Sequence, residues 1–435
     1  MTEYPPAAAS MSLGRGVYFG WRVVLALFLC TFAIFGSSIY SFIVVAQPLA
    51  QEHGWSAAQT GGLVSAMWLV APLALFYGPL TRRFSPWGLI LFGLCAEALV
   101  LASLIFVTEF WQLYLLRIVM GFGKVLAIAA VPMLTARWFS RRFATAMALV
   151  WAGGSTGGLA LSPATEALVL TLGWRPATLV VAGGLLAVAV AISLLSRGPS
   201  SPTEMGLGLD GDPIAAREID GARTARGESG NTQSGDVKAI NPWVAGCMFV
   251  AVIGAGMASI AVLTQELALL RRAHFSPAAA ATLLGMTAGG STTGSVAIGW
   301  MLDRFNARWS ALAIVAAISF GVFALALAPE SRSVILAGAG ALALGFAFGA
   351  GEVLWITLTR RQFGDAVFPV TYGGWYFALQ AGYAAGGSLA GWSFDHLGPS
   401  GFLVFVALVY LPAAICSLAL PAGRQAAPVQ TPASQ

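Results

Sequence analysis

Two basic side chains stand within an apolar run of the sequence, RIVMGFGKVLAIAAVPML at residues 117–134. They are Arg117 and Lys124, and the chain has one other lysine, Lys238. Seven residues make nearly two helical turns, so both cations share a helix face, about 10 Å apart along the axis. A cation in apolar surroundings needs a negative partner or a cavity. Both residues are therefore candidates for binding a negatively charged group of a substrate.

Four acidic residues also lie within apolar runs: Glu97, Glu166, Glu266 and Glu352. A carboxyl group at such a position can bind and release a proton, so all four are candidates for proton coupling. Glu352 is the favoured carrier, and Trp355 lies three residues further along the same helix face.

Glu97 offers a second interpretation of Lys124. If the two runs that contain them form a helical hairpin turning near residues 109–110, Glu97 lies opposite a position near residue 122. That position is two residues, or about 3 Å along the axis, from Lys124. An ion pair between Glu97 and Lys124 would satisfy both charges without a substrate. The two interpretations are compatible, because a salt bridge can break when a substrate binds.

Five aromatic residues within apolar runs are candidates for contact with a substrate: Tyr40, Trp151, Trp355, Trp375 and Tyr376. Aromatic rings offer a large apolar contact area, and tyrosine and tryptophan add a polar atom. Their alternative role is packing, or an aromatic belt at a membrane interface.

Residue patterns for metal or nucleotide chemistry are absent from the sequence. The three histidines, His53, His274 and His396, are isolated near the ends of apolar runs, and neither HExxH nor a P-loop pattern occurs. The four cysteines lack metal-ligand spacing. GLGLDG at 206–211 matches GxGxxG but lacks the strand and helix that a dinucleotide site needs. We therefore expect no enzyme activity, no cofactor and no metal.

The composition indicates a membrane protein. The 435 residues are 58% hydrophobic and 9% charged, with a mean hydropathy of +0.79, whereas a soluble domain has about 25% charged residues. So few charges cannot cover a globule in water. The net charge of +5 is spread over single or paired basic residues. Because no basic stripe occurs, no nucleic-acid partner is expected.

Apolar runs of sufficient length predict an all-α membrane protein, since a spanning helix needs about 20 mostly apolar residues. Twelve such runs lie near 21–46, 58–80, 86–108, 111–134, 143–170, 177–196, 242–270, 279–301, 309–328, 333–358, 370–393 and 400–420. Of the 23 Lys and Arg residues, 17 fall on the side of the N-terminus, 4 on the other side and 2 within a span. The positive-inside rule then predicts that both termini are cytoplasmic. The first run is long enough to remain as a span, so no signal peptide is expected.

Residues 198–241 differ from the rest of the chain, because they are rich in Gly, Ser, Pro and charge. This composition predicts a flexible cytoplasmic linker. It divides the chain into an N-terminal half, residues 1–197, and a C-terminal half, residues 242–435, which ends in a short cytoplasmic tail. The loops after spans 2 and 8, GPLTRRF at 78–84 and GWMLDRFNAR at 299–308, occupy equivalent positions in the two halves.

Two six-span halves around a central loop, with GWMLDRFNAR in that position, resemble the major facilitator superfamily over the whole chain. The resemblance implies two pseudo-symmetric six-helix bundles. It also implies a gating role for Asp303, Arg304 and Arg308 in the loop after span 8. The loop of the first half departs from the pattern, because Arg82 stands where the motif has Asp and Ser85 replaces its second Gly.

Short motifs resemble bacterial monocarboxylate and oxalate–formate porters. They are YFGWRVV at 18–24, YSF at 40–42, PLAQEHGWS at 48–56, ARWFSRR at 136–142, LGWRPA at 172–177 and GWSFDHLG at 391–398. Relatives that carry small carboxylates often have an arginine in span 8, whereas this chain has GGSTTGSVAIG at 289–299. The cation for an anionic substrate would then come from elsewhere, which favours Lys124 and Arg117.

The resemblance implies a secondary active transporter of a small organic anion, a carboxylate, that works by alternating access in a bacterial-type inner membrane. Proton coupling or exchange would drive it. In this superfamily spans 1, 4, 7 and 10 line the central cavity, which would bring Lys124 and Glu352 together. Efflux of drugs or other small molecules by proton antiport is the alternative, and a non-transporting sensor is a third hypothesis. The expected partners are the substrate, protons and the lipid bilayer, and a monomer is compatible with them.

Overall fold

Twelve helical spans make up most of the part of the chain that the computed structural model describes. The described residues are 18–55, 63, 66–212, 242–272, 275, 277–331, 333–365 and 367–419. In the N-terminal half they are span 1, Phe19–Phe35, Gly36–Ser41 and Phe42–His53; span 2, Met67–Phe76 and Tyr77–Arg83; span 3, Pro86–Ser103 with Leu104–Phe106; span 4, Phe110–Trp138; span 5, Phe143–Leu172; and span 6, Trp174–Leu195. In the C-terminal half they are span 7, Pro242–Arg272; span 8, Pro277–Arg304; span 9, Ala307–Ser331; span 10, Val334–Phe363; and spans 11 and 12, which Gly398 separates within Phe368–Ala419.

Local sequence signals set the ends of several spans. Pro86 occupies the start of span 3, where a missing N–H costs little. Glu109 precedes span 4 and exchanges side-chain and backbone hydrogen bonds with Gln112 in a capping box. Gly173 and Gly398 adopt φ values of 85° and 71°, which lets the chain reverse between spans 5 and 6 and between spans 11 and 12.

The prediction of a twelve-span all-α membrane protein is confirmed for the described residues. Eight helices there are long and apolar enough to cross a membrane by themselves. The predicted start of span 2 near residue 58, His274 and the linker beyond residue 212 lie outside the described residues. The first part of the linker, residues 198–212, forms two short 3-10 turns instead of the flexible chain that was predicted. The boundaries of the two halves stay a prediction.

Close contact between spans 8 and 10 depends on glycine. A Cβ atom added at Gly345 or Gly349 would collide with the carbonyl oxygen of Thr287 or Ser291. Small residues let neighbouring membrane helices approach in this way. The contact fixes the position of Glu352, which lies one turn beyond Gly349 in span 10.

Candidate functional site

A cavity of about 610 Å³ lies between the two halves. Side chains from spans 1, 2 and 5 line one wall, and side chains from spans 7, 8, 10 and 11 line the other. Aromatic rings on these walls belong to Phe35, Tyr40, Trp68, Trp151, Phe348 and Tyr383. Hydroxyl groups, including those of Ser155 and Ser291, and the carboxyl groups of Glu166 and Glu352 lie among them. The cavity therefore suits a largely apolar small molecule with a few polar groups.

A π-helical turn in span 1, Gly36–Ser41, shapes one wall of the cavity. Such turns are rare and often occur at functional sites. Tyr40 of this turn lines the cavity, and the Ser37 hydroxyl donates a hydrogen bond to Glu97, with 2.5 Å between Oγ and Oε1. Regular helical spacing does not indicate this turn, so Ser37 was not among the predicted residues.

The guanidinium of Arg117 binds backbone and does not face the cavity. Its Nε and Nη1 donate to the carbonyl oxygens of Leu63 and Ser38 at 3.2 and 2.7 Å. Its Cζ lies 3.8 Å from the ring centre of Phe42. The side chain is 1% exposed, and these contacts hold spans 1, 2 and 4 together. Contact of Arg117 with a substrate therefore stays a prediction, which this placement does not favour.

Lys124 lies behind the cavity wall, because span 4 contributes no lining side chain, contrary to the expectation that spans 1, 4, 7 and 10 line the cavity. Its side chain is buried, and its Nζ makes no hydrogen bond to the described residues. The ammonium lies 4.4 Å from the ring centres of both Phe35 and Trp68, two rings of the cavity wall, so cation–π attraction holds it there. Lys124 and Glu97 form no salt bridge in the described structure. Oε1 of Glu97 accepts the hydrogen bond from Ser37, whereas Oε2 has no hydrogen-bond partner among the described residues, so the ion pair stays an alternative.

Glu352 lies on the cavity wall, partly buried. Its Oε1 accepts a hydrogen bond from the Tyr383 hydroxyl at 2.7 Å. The ring of Tyr383 is 5.0 Å from that of Trp68, which also contacts Lys124. Two aromatic rings thus connect the acid and the cation at one cavity. Sequence reasoning missed Tyr383, because its contact joins two different spans and no spacing within one helix marks it.

The other three acidic candidates have different surroundings. Glu166 lines the cavity and is exposed. Glu266 is 1% exposed and accepts a hydrogen bond from the hydroxyl of Thr287 at 2.6 Å. Thr287 lines the cavity, so Glu266 lies behind the wall. Glu97 is held against span 1 and also does not line the cavity.

The two halves are joined at the end of the bundle that contacts residues 198–212, which we call the linker end. The carboxylate of Asp303 in span 8 accepts hydrogen bonds from the N–H groups of Ala144 and Thr145 at the start of span 5, at 3.2 and 2.8 Å. Because Asp303 and span 5 belong to different halves, this contact closes the bundle at the linker end.

The other two residues of the predicted gating loop make contacts within their own half. The guanidinium carbon of Arg304 lies 4.5 Å from the ring centre of Trp300. The backbone N–H of Arg308 donates to the side chain of Asn306 at 3.1 Å. Of the three predicted residues, Asp303 is therefore the one whose described contacts join the halves.

Two of the five aromatic candidates, Tyr40 and Trp151, line the cavity. Trp375 and Tyr376 lie towards the linker end in a cluster of buried rings, with their own ring centres 6.2 Å apart. Trp355 is buried in the core of span 10, 3% exposed. The last three residues do not line the cavity. Their contacts agree with the alternative role in packing, and their contact with a substrate stays a prediction.

Two halves with a cavity between them, joined at one end of the bundle, form the architecture of a membrane transporter that opens to one side at a time. A model of the Major Facilitator Superfamily matches residues 26–359, so the chain belongs to that superfamily. The protein is therefore a multi-pass membrane transporter.

Similar proteins carry organic acids according to their names. The chain is 25% identical to the 4-hydroxybenzoate transporter PcaK of Pseudomonas aeruginosa over 429 residues, which cover 92% of this chain and 91% of that protein. It is 26% identical to the gallate transporter of Pseudomonas putida over 438 residues, 95% of this chain and 94% of that protein. Monocarboxylate transporter 11 of Mus musculus is 30% identical over 199 residues, and the match spans 45% of this chain and 42% of that protein.

Proposed function

We propose that the protein is a secondary active transporter of a small organic carboxylate, with aromatic acids as the preferred class. The observation that carries this proposal is the ammonium of Lys124, which has no hydrogen-bond partner among the described residues and lies against the aromatic cavity wall. A carboxylate would neutralise this charge, and the aromatic rings would pack against an apolar body. The similarity to 4-hydroxybenzoate and gallate transporters over most of the chain supports an aromatic acid.

Binding would rearrange the aromatic wall around Lys124. The rings of Phe35 and Trp68 now cover the ammonium. Each cation–π contact is worth about 0.5–2 kcal/mol, and a desolvated ion pair with a hydrogen bond replaces such contacts readily. We therefore expect the two rings to move aside when a carboxylate reaches Nζ.

Proton coupling is proposed to run through Glu352. When Glu352 carries a proton, its charge is neutral. The ammonium of Lys124 then gives this side of the cavity a net positive charge, which attracts an anion. Once the proton leaves, the Glu352 carboxylate competes with the substrate for Lys124 and favours its release. This order of events favours symport of a proton with the anion.

The linker end is proposed to face the cytoplasm, because most Lys and Arg residues of the predicted loops lie on that side. Both termini would then be cytoplasmic, in a bacterial-type inner membrane. The proposed halves are residues 1–197 and 242–435, joined by the linker at 198–241. Because one chain supplies the whole cavity lining, a monomer without cofactor or catalytic step is the proposed working unit.

Uptake into liposomes tests the function. Purified protein is reconstituted, a pH gradient is applied, and the accumulation of labelled 4-hydroxybenzoate is compared with that of lactate, oxalate and a cationic drug. We expect accumulation of the aromatic acid that stops when the gradient is collapsed. Transport of the drug without the acids would favour the efflux alternative, and no counterflow with any of these compounds would favour a sensor.

A further inference from the structure

The first part of the linker is bound to the N-terminal half through Asp210. This residue has a left-handed backbone, with φ 64°. Its carboxylate accepts hydrogen bonds from the N–H groups of Ser140, Arg141 and Arg142 at 3.1, 2.8 and 3.0 Å. These residues immediately precede span 5, where N–H groups lack partners within the helix. The positive end of this 30-residue helix also attracts a carboxylate.

A second carboxylate, from the C-terminal half, continues this row of hydrogen bonds. Asp303 accepts from the N–H groups of the next turn, at 3.2 and 2.8 Å. The guanidinium of Arg360, also in the C-terminal half, donates to the carbonyl of Phe139 at 2.9 Å. The loop between spans 4 and 5 is therefore the place where the linker and the C-terminal half both hold the N-terminal half.

Tyr18 packs against the linker turn that carries Asp210. Its hydroxyl donates to the carbonyl oxygen of Trp138 at 3.0 Å, and a Cβ added at Gly211 would lie 3.0 Å from its ring, a tight contact. Burial, together with the carboxylate of Asp210, raises the pKa of Tyr18 to about 12. The hydroxyl thus remains a hydrogen-bond donor at neutral pH. Packing and hydrogen bonds together fix the turn that carries Asp210.

We propose that Asp210 is a positioning residue of the transport cycle, which holds the loop between spans 4 and 5 so that Asp303 can close the linker end. Opening the linker end must separate Asp303 from span 5, because this contact crosses between the halves. Asp210 stays with the N-terminal half in both states. Because Asp210 already holds the loop between spans 4 and 5 in place, less conformational entropy is lost when Asp303 forms the closing contact. Asp210 thereby favours the state closed at the linker end.

Two cysteine reporters measure this equilibrium in the full chain in detergent. Ala74 is buried against Gly373 of the other half, between the cavity and the linker end. Ser162 lines the cavity on the side away from the linker end. We expect Asp210→Asn to increase the rate of maleimide labelling of Ala74→Cys about fivefold and to decrease that of Ser162→Cys. A coupling of about 1 kcal/mol gives a change of this size.

Asp212→Asn is the matched control, since it makes the same charge change two residues later. Asp212 pairs with the exposed side chain of Arg141, and such surface pairs contribute little, so both labelling rates should stay nearly unchanged. Asp303→Asn should act as Asp210→Asn does, and the double variant should add less than the sum of the two.

Three results would overturn the proposal. One is an equal effect of Asp210→Asn and Asp212→Asn. Another is faster labelling at both reporters, which means general loosening and not a shift between two states. The third is an Asp210→Asn chain that does not fold, which would assign the carboxylate a purely structural role.

Discussion

Lys124 and Arg117 are cations of one helix with different surroundings. The guanidinium of Arg117 is satisfied by two carbonyl oxygens and the ring of Phe42. The ammonium of Lys124 has two aromatic faces and no hydrogen bond to the described residues. Cation–π contacts offset only part of the several kcal/mol that desolvation of an ion costs. Lys124 therefore retains unsatisfied charge that a ligand can use, whereas Arg117 joins spans.

Replacement of Lys124 by methionine removes the charge and keeps most of the volume. We expect Lys124→Met to unfold at or above the wild-type temperature, because no ion pair is lost. The variant should lose carboxylate transport and the rise in melting temperature that 4-hydroxybenzoate causes, since only a bound ligand stabilises the folded form. Thermal unfolding with and without the acid measures both effects.

Two variants control this experiment. Arg117→Met should lower the free energy of unfolding by about 2–3 kcal/mol, because charged hydrogen bonds to buried carbonyl oxygens are lost, while the folded fraction keeps its response to the acid. Lys124→Met combined with Glu97→Met should remain inactive in transport. Recovery of transport in this double variant would contradict the substrate role and restore the ion-pair interpretation.

Glu352→Gln tests the proposed proton carrier. A neutral amide retains the shape and the contact with Tyr383 but cannot take up a proton. We expect proton-driven net uptake to fall at least about tenfold, the factor that 1.4 kcal/mol corresponds to, while exchange of labelled for unlabelled substrate persists. Glu166→Gln, which changes an exposed carboxyl group of the same cavity, should spare both activities. A pH dependence unchanged in Glu352→Gln would remove Glu352 from coupling.

Single charges in apolar runs were visible in the sequence, but their partners were not. Counting from the hairpin turn gives the height of Glu97 along its helix and says nothing about the direction of its side chain. The π-helical turn at Gly36–Ser41 then supplies Ser37 as its partner. The same limit applies to Glu352, because its bond to Tyr383 joins two spans.

At the scale of elements, glycine sets the distance between the helices that carry the site. Span 10 presents Glu352 and Phe348 to the cavity, and span 8 presents Ser291 and Thr287. The two helices approach so closely at Gly349 that a side chain there would overlap the neighbouring backbone. Backbone cannot move aside as a flexible side chain can, so this contact leaves little freedom in the position of span 10.

Gly349→Ala should therefore destabilise the protein by about 1–3 kcal/mol, the usual cost of overpacking. Thermal unfolding measures the change, and transport by the remaining folded protein should fall because Glu352 shifts with its helix. Gly374→Ala is the matched control in span 11, since nothing lies within 4 Å of a Cβ added there. Equal stability of both variants would mean that span 10 can move away from span 8 at no cost.

At the scale of the molecule, apolar runs predicted the twelve spans because lipid demands helices long enough to cross it. The ordered structure of residues 198–212 was not predicted. A composition rich in Gly, Ser and Pro indicates how flexible the chain is locally, but it does not indicate contacts between residues that are distant in sequence. Asp210 is 70 residues from Ser140 in sequence and bonds to its N–H. The loop motif indicated a gating role for Asp303. Its partners, the N–H groups at the start of span 5, are identified only by the packing of span 5 against span 8 in the structure.

The orientation of the whole molecule follows from its basic residues and can be measured with two cysteines. Gln51 lies near the end of span 1 away from the linker, and Thr203 lies in the first linker turn, both exposed. The positive-inside rule predicts that Gln51→Cys reacts with a membrane-impermeant maleimide added outside intact cells, and that Thr203→Cys reacts only after the cells are opened. The chain without either change gives the background from its four native cysteines. Labelling of Thr203→Cys from outside would reverse the orientation of the molecule, and with it the direction in which the proposed proton symport moves the acid.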